Sequence, residues 1–352
     1  MDYKAKLEDL VLNVVREGGS DLHLGSGRVP AIRVAGELIF LFKEAVLTKE
    51  DVFGILEIIL GKDRLAKFKE EQEIDFSYEA KDETRLRGNA FFQKGEINIA
   101  FRLVPKVKTL TELHLPGILG DLARKKQGFF LVVGPVGQGK STTLAAMVDS
   151  INHEQARHIV TIEDPIEYIF KGDKSIIDQR EVGIDTKDFH VALKSAFRED
   201  MNVIMVGEMR NAETISTAVT AAETGHLVFS TLHTNNASQT IDRIIDTFPG
   251  EQQDQIRIEL STSLLGIFSQ RLIPRVAGGL VPAYELLLNN KAIANLIREK
   301  RTQEIDVAIE TGSEFGMVDL NRSLMELVRS GDISIDNAYQ YSLNPKGLER
   351  MA

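Results

Sequence analysis

Gly134-Pro135-Val136-Gly137-Gln138-Gly139-Lys140-Ser141 is a complete G-x-x-x-x-G-K-[ST] element, and the apolar run Phe129-Phe130-Leu131-Val132-Val133 leads directly into it. Glycine at 134, 137 and 139 removes the Cβ atoms that would hinder the backbone from wrapping an anion, so successive N–H groups can turn inward on phosphate oxygens. Lys140 adds a point charge. Ser141 and Thr142 open a segment running to Asn152 in which Leu144, Met147, Val148 and Ile151 recur close to the helical period. Strand, glycine loop and helix in that order make this a nucleotide-binding element. Residues 134–142 are expected to hold the phosphates, and the Ser141 hydroxyl is expected to bind Mg²⁺.

With 352 residues, 43% of them apolar and 27% charged, the chain can bury a large core and is expected to form two domains. No segment approaches the ~20 uninterrupted apolar residues of a membrane span, and the opening MDYKAKLEDL does not read as a signal peptide. A soluble, cytoplasmic protein with no direct membrane insertion is expected. The chain has no cysteine, which suits a reducing compartment and excludes a four-cysteine zinc module. Its net charge of −10 divides into −3 over residues 1–104 and −7 over the rest. Neither part has the overall excess of Lys and Arg that a nucleic-acid partner demands, so none is expected.

Residues 1–104 mix short strand-like runs (21–24, 31–34, 74–78) with helical stretches near 6–16 and 49–68, which reads as a small α+β domain. A proline and two lysines without clear period mark a linker over 105–116. In the remainder, 117–352, strands and helices alternate as in a doubly wound, mainly parallel α/β sheet.

Two strands there end in carboxylates. His158-Ile159-Val160-Thr161-Ile162 runs into Glu163-Asp164-Pro165, and Val203-Ile204-Met205-Val206 runs into Gly207-Glu208-Met209-Arg210. Ligands of open α/β sheets sit beyond the carboxyl ends of the strands, so Glu163 is placed to polarise the water that attacks a γ-phosphate; a plain Asp-Pro turn would show the same residues. The second strand resembles a Walker B strand with Gly207 in the usual Asp position. Glu208 there is a candidate to hold Mg²⁺ through water, or is a solvent-facing loop acid.

A further apolar strand is bracketed by His226 and His233. At its carboxyl end His233 is placed to donate to a γ-phosphate and report its presence; His226 sits at the other end, where a satisfied structural group is as good a reading. In the first domain Arg85, Arg87 and Asn89 alternate with Leu86, Gly88 and Ala90, and Asn98, Ala100 and Arg102 repeat the pattern on the next strand. This is either a solvated strand face or a set of arginine fingers reaching a nucleotide in another subunit.

Taken together, these motifs resemble the type II/IV secretion ATPases, and among them the type IV pilus retraction ATPases, over nearly the whole chain. The likeness rests on Gly19-Ser20-Asp21-Leu22-His23-Leu24, Arg85-Leu86-Arg87-Gly88-Asn89, the glycine loop, the segment Val160 to Tyr168, Val206-Gly207-Glu208-Met209-Arg210, and the stretch from His226 to His233. The resemblance implies a PAS-like N-terminal domain, a RecA-like P-loop ATPase domain with a C-terminal helical region, and a homohexamer that hydrolyses ATP with Mg²⁺. It implies Glu163 as general base, Glu208 as Mg²⁺ support, and Arg85, Arg87 and Arg102 as γ-phosphate contacts. Its implied partners are an inner-membrane pilus platform protein and a second pilus ATPase, placing the protein at the inner face of the cytoplasmic membrane. Assembly and secretion ATPases of the superfamily usually carry an extra N-terminal domain and often a tetracysteine zinc module; this chain has neither, which favours retraction. The chain departs from the family at Ala294 in Ala292-Ile293-Ala294-Asn295-Leu296, where arginine is expected, at Val136 and Gln138 in the loop, where Thr and Ser are usual, and at Asn211.

Overall fold

The computed structural model describes residues 2–34, 36–81 and 84–351. Its contacts divide the chain into two units, Met1–Lys106 and Val107–Ala352. In the first, helix α1 (Tyr3–Arg16) precedes strands β1 (Gly19–Gly25), β2 (Ala31–Val34) and β3 (Glu37–Phe40). Helix α2 (Lys49–Glu71) then precedes β4 (Glu73–Glu79), β5 (Arg85–Gln93) and β6 (Glu96–Leu103). The strands form one antiparallel sheet in the order β3-β2-β1-β6-β5-β4. Leu7, Leu10, Val11 and Val14 recur at helical spacing, so α1 buries one stripe against Leu22, Leu24, Phe76, Ile99 and Phe101 on alternate positions of the strands. Thr48 and Asp51 close a reciprocal capping box at the start of α2. That helix breaks at Gly61, whose φ of 67° is open to glycine at little cost.

The opposite face of this sheet carries the polar positions of the same strands. Arg87 and Arg102 are cross-strand partners, and Arg102 pairs in turn with Asp21 on β1. Its Nε donates to Asp21 Oδ1 at 2.9 Å. Asp21 also accepts from the Ser20 hydroxyl, and these bonds together with the Arg102 charge outweigh burial to hold its carboxyl below the usual range.

The second unit begins with residues of the expected linker: Val107, Leu110, Leu113 and Leu115 pack against its core. Helix α3 (Ile118–Ala123) leads to β7 (Gly128–Val133), α4 (Lys140–Glu154), β8 (His158–Glu163), β9 (Ile176–Glu181), α5 (Phe189–Ala196), β10 (Val203–Val206), α6 (Ala212–Glu223) and β11 (Leu227–Leu232). Then come α7 (Ala237–Asp246), α8 (Gly250–Ser263) and the hairpin β12 (Leu264–Pro274) and β13 (Leu280–Leu288). Helices α9 (Lys291–Arg298), α10 (Ile305–Thr311), α11 (Leu320–Arg329), α12 (Ile335–Tyr341) and α13 (Pro345–Glu349) complete the chain.

The sheet order is β13-β12-β7-β11-β10-β8-β9, parallel throughout except for the β12–β13 pair. Strands β7, β10 and β11 are buried at every position, as expected for a parallel sheet covered on both faces. Alternation splits β7 between two cores: Phe129, Leu131 and Val133 join the layer of α5 to α8, while Phe130 and Val132 join that of α3 and α4. The α/β class expected for this region is therefore what the chain adopts. None of the described helices is long and apolar enough to cross a membrane.

Candidate nucleotide site

The carboxyl ends of β7, β8, β10 and β11 converge on a cleft of about 460 Å³. It is lined by residues 136–142 of the glycine loop and, across from them, by Glu163, Glu167, Glu208 and His233. Parallel pairing explains the convergence: all four strands run the same way, so the residues that follow each one emerge at one edge.

Gly134 leaves β7 with φ 147°, and a Cβ there would lie 2.5 Å from the Gln270 carbonyl oxygen on β12, so only glycine passes. Lys140, 8% exposed, donates through Nζ to the Gly134 oxygen at 2.8 Å and the Pro135 oxygen at 2.9 Å. Its Nζ also lies 3.2 Å from His233 Nδ1. Burial pushes the Lys140 ammonium down to about 8, with Glu167 and Glu208 opposing the shift. An ammonium has only donors, so Nδ1 of His233 accepts and its proton resides on Nε2, which faces Glu208 Oε2 at 3.8 Å. Burial and the Lys140 charge both lower the His233 imidazole, which is neutral near pH 7.

Glu163, 6% exposed, ends β8. Its Oε1 accepts from Thr161 Oγ1 at 2.7 Å and from Gln179 Nε2 at 3.2 Å, and its Oε2 accepts from the Glu167 N–H at 3.4 Å. Burial raises the carboxyl above its ordinary value, while these three donors pull it back. The result is a fixed carboxylate with elevated basicity. Glu208 binds Arg210, and the Thr231 hydroxyl fixes the preceding Gly207 carbonyl at 2.6 Å.

Among the described residues no group of three or more His, Cys, Asp or Glu side chains forms a metal cage. Ser141 and Glu208 nevertheless both line the cleft and both present oxygen donors. That suits Mg²⁺, which keeps several waters and takes only one or two protein ligands beside substrate phosphates.

The structure thus gathers the loop, Glu163, Glu208 and His233 around one cleft. It does not bring His226 there: that residue opens the opposite end of β11, with Nδ1 3.0 Å from the Ala221 carbonyl and its ring edge-on to Phe197. Arg85, Arg87 and Arg102 belong to the sheet of the other unit. Sequence reasoning missed Thr161, Gln179 and Gln270. Thr161 was detectable, since residues two apart on a strand share a face; Gln179 and Gln270 lie on strands 16 and 132 positions from the groups they hold.

Residues 109–329 match the family described as type II/IV secretion system protein. The chain is 43% identical over 341 residues to the type IV pilus retraction ATPase PilT of Pseudomonas aeruginosa, covering 97% of this chain and 99% of that protein. It is 42% identical over 321 residues to a twitching motility protein of Neisseria gonorrhoeae, covering 91% and 86%. Among solved structures, the pilus retraction motor PilT with bound ADP superposes with a TM-score of 0.91 at 45% identity, over 98% of this chain and 99% of that one.

Proposed function

We propose that this chain, which belongs to the type II/IV secretion system protein family, is the motor that converts ATP hydrolysis into retraction of a type IV pilus. It is a nucleotide-binding ATP hydrolase of that family, and the observation that carries its chemistry is Glu163, a buried carboxylate facing the glycine loop across the cleft. Retraction rests on similarity that runs over nearly the full length of both chains, including the first unit.

In this reading the loop N–H groups and Lys140 bind the phosphates, and Glu163 accepts the proton of the attacking water. Thr161 and Gln179 hold its Oε1, so the carboxylate does not have to reorganise. His233, neutral and carrying its proton on Nε2, can donate to a γ-phosphate oxygen. Ser141 and Glu208 would hold Mg²⁺, which supplies charge neutralisation at the β- and γ-phosphates. Arg85, Arg87 and Arg102 would act on the γ-phosphate from a neighbouring subunit of a homohexamer, and the ring would pass its deformation to a membrane platform protein at the pilus base.

One outcome follows from the electrostatics. Because burial raises the Glu163 carboxyl above 4.5, the ionised base is lost at a higher pH than an exposed glutamate would allow. Turnover should fall on the acid side with a midpoint above that value, read from kcat between about pH 5 and 9. In cells, deletion should leave surplus pili that cannot retract and abolish twitching. Cells with no pili would instead assign the motor to assembly.

A further inference from the structure

The register of β12 against β7 ends at Ser269 and Val133, so Gln270 stands beside the first residue of the glycine loop. Its side chain is 2% exposed and makes two bonds: Nε2 donates to the Gln138 carbonyl at 2.8 Å, and Oε1 accepts from Thr143 Oγ1 at 2.6 Å. A carbonyl can only accept, which fixes the amide with its nitrogen toward the loop. The partner strand is held in return, since Gln138 Oε1 accepts from the Leu272 N–H at 2.7 Å. Gln138, where the family usually has serine, therefore staples the loop to β12 from one side and Gln270 staples it from the other.

This has a stereochemical effect on the cradle. Among the described residues only Asp164–Pro165 is cis, so the 138–139 peptide is trans and its C=O and N–H point in opposite directions. Pulling the Gln138 carbonyl onto β12 turns the Gly139 N–H away from β12 and into the loop, where an anion would meet it. Gly139 sits at φ 78°, a conformation from which a glycine peptide can flip cheaply if that hold is lost.

We propose that Gln270 is a positioning residue for the nucleotide: it sets the Gly139 N–H as a phosphate donor by anchoring the peptide that carries it. The proposal rests on the nucleotide-binding assignment of the loop and adds to it a residue outside the motif. Its test is ADP affinity, measured on the full chain carrying Gln270→Glu. Glutamate keeps the shape and the acceptor for Thr143, but when ionised it sets an oxygen against the Gln138 oxygen; when protonated it donates as glutamine does. The variant should bind ADP about tenfold more weakly than wild type near pH 8 and regain most of the deficit near pH 5.5, and its unliganded Tm should fall near pH 8, where the buried carboxylate is charged, and recover near pH 5.5. A deficit below about threefold, or one that is independent of pH, would overturn the positioning role. If Gln270→Glu does not fold, Gln270→Met removes the donor without introducing charge and should weaken ADP to a similar degree at every pH; unchanged affinity would overturn the proposal. Wild-type protein that fails to bind ADP would sink the loop assignment and the staple together, whereas normal wild-type binding beside an unaffected variant sinks the staple alone.

Discussion

Glu163→Gln is expected to leave ATP bound and stop its hydrolysis. The substitution is isosteric, and the two donors that meet Oε1, Thr161 Oγ1 and Gln179 Nε2, can meet a glutamine oxygen equally well. What is lost is the acceptor for the proton of water, a contribution on the order of 10²- to 10⁴-fold in kcat. ATP affinity should stay within about threefold or improve, because a negative charge facing the phosphates is gone. Relief of the buried charge is offset by the amide nitrogen now facing the Glu167 N–H that Oε2 accepted, so Tm should stay close to wild type. Turnover within a few-fold of wild type would remove Glu163 as the base.

Lys140→Ala should have the opposite profile, with nucleotide affinity reduced by about 10- to 100-fold, the range for charge-assisted hydrogen bonds, and turnover lost with it. The sign of its stability effect follows from linkage. The folded-state pKa of Lys140 is depressed to about 8 from an ordinary 10.5, so the protonated form is disfavoured by folding. That penalty is fully present below about pH 8 and disappears as pH rises past 10.5. At neutral pH, removing the side chain should therefore leave the unliganded Tm unchanged or raised. In wild type, ATP binding should weaken as pH climbs above about 8, because the unliganded lysine then loses its charge. Unchanged ATP affinity in Lys140→Ala would contradict the cradle assignment.

The parts of this molecule that were legible in sequence share a cause. β7, β8, β10 and β11 are short runs of buried, largely β-branched or aromatic residues, each followed by its own functional group, so local pattern and site coincide. Their parallel pairing then gathers those groups without further information. What local pattern could not supply is contact between strands far apart in the chain. Gln179 was invisible because β9 is half exposed and carries Asp, Gln, Arg and Glu, a composition that resembles a loop. Gln270 lies inside an apolar strand with no motif around it. Asp21 and Arg102 are 81 positions apart, and only the antiparallel β1–β6 pairing brings them together. His226 and His233 stand at opposite ends of one strand, and the strand's direction, already legible in the sequence, favours His233 as the one that reaches the cleft.

The pairing of β7 with β12 also bears on how the protein is made. The glycine loop, Lys140 and Glu163 all leave the ribosome well before residues 264–274, yet on its β12 side the loop is held by Gln270 and Leu272. A nascent chain that already carries the whole nucleotide motif therefore still lacks the two β12 hydrogen bonds to Gln138. Domains fold as units during synthesis, and here the last element added beside β7 is the one that finishes the cradle. Completion of the cradle's β12 flank therefore waits for residues 264–274 to be made.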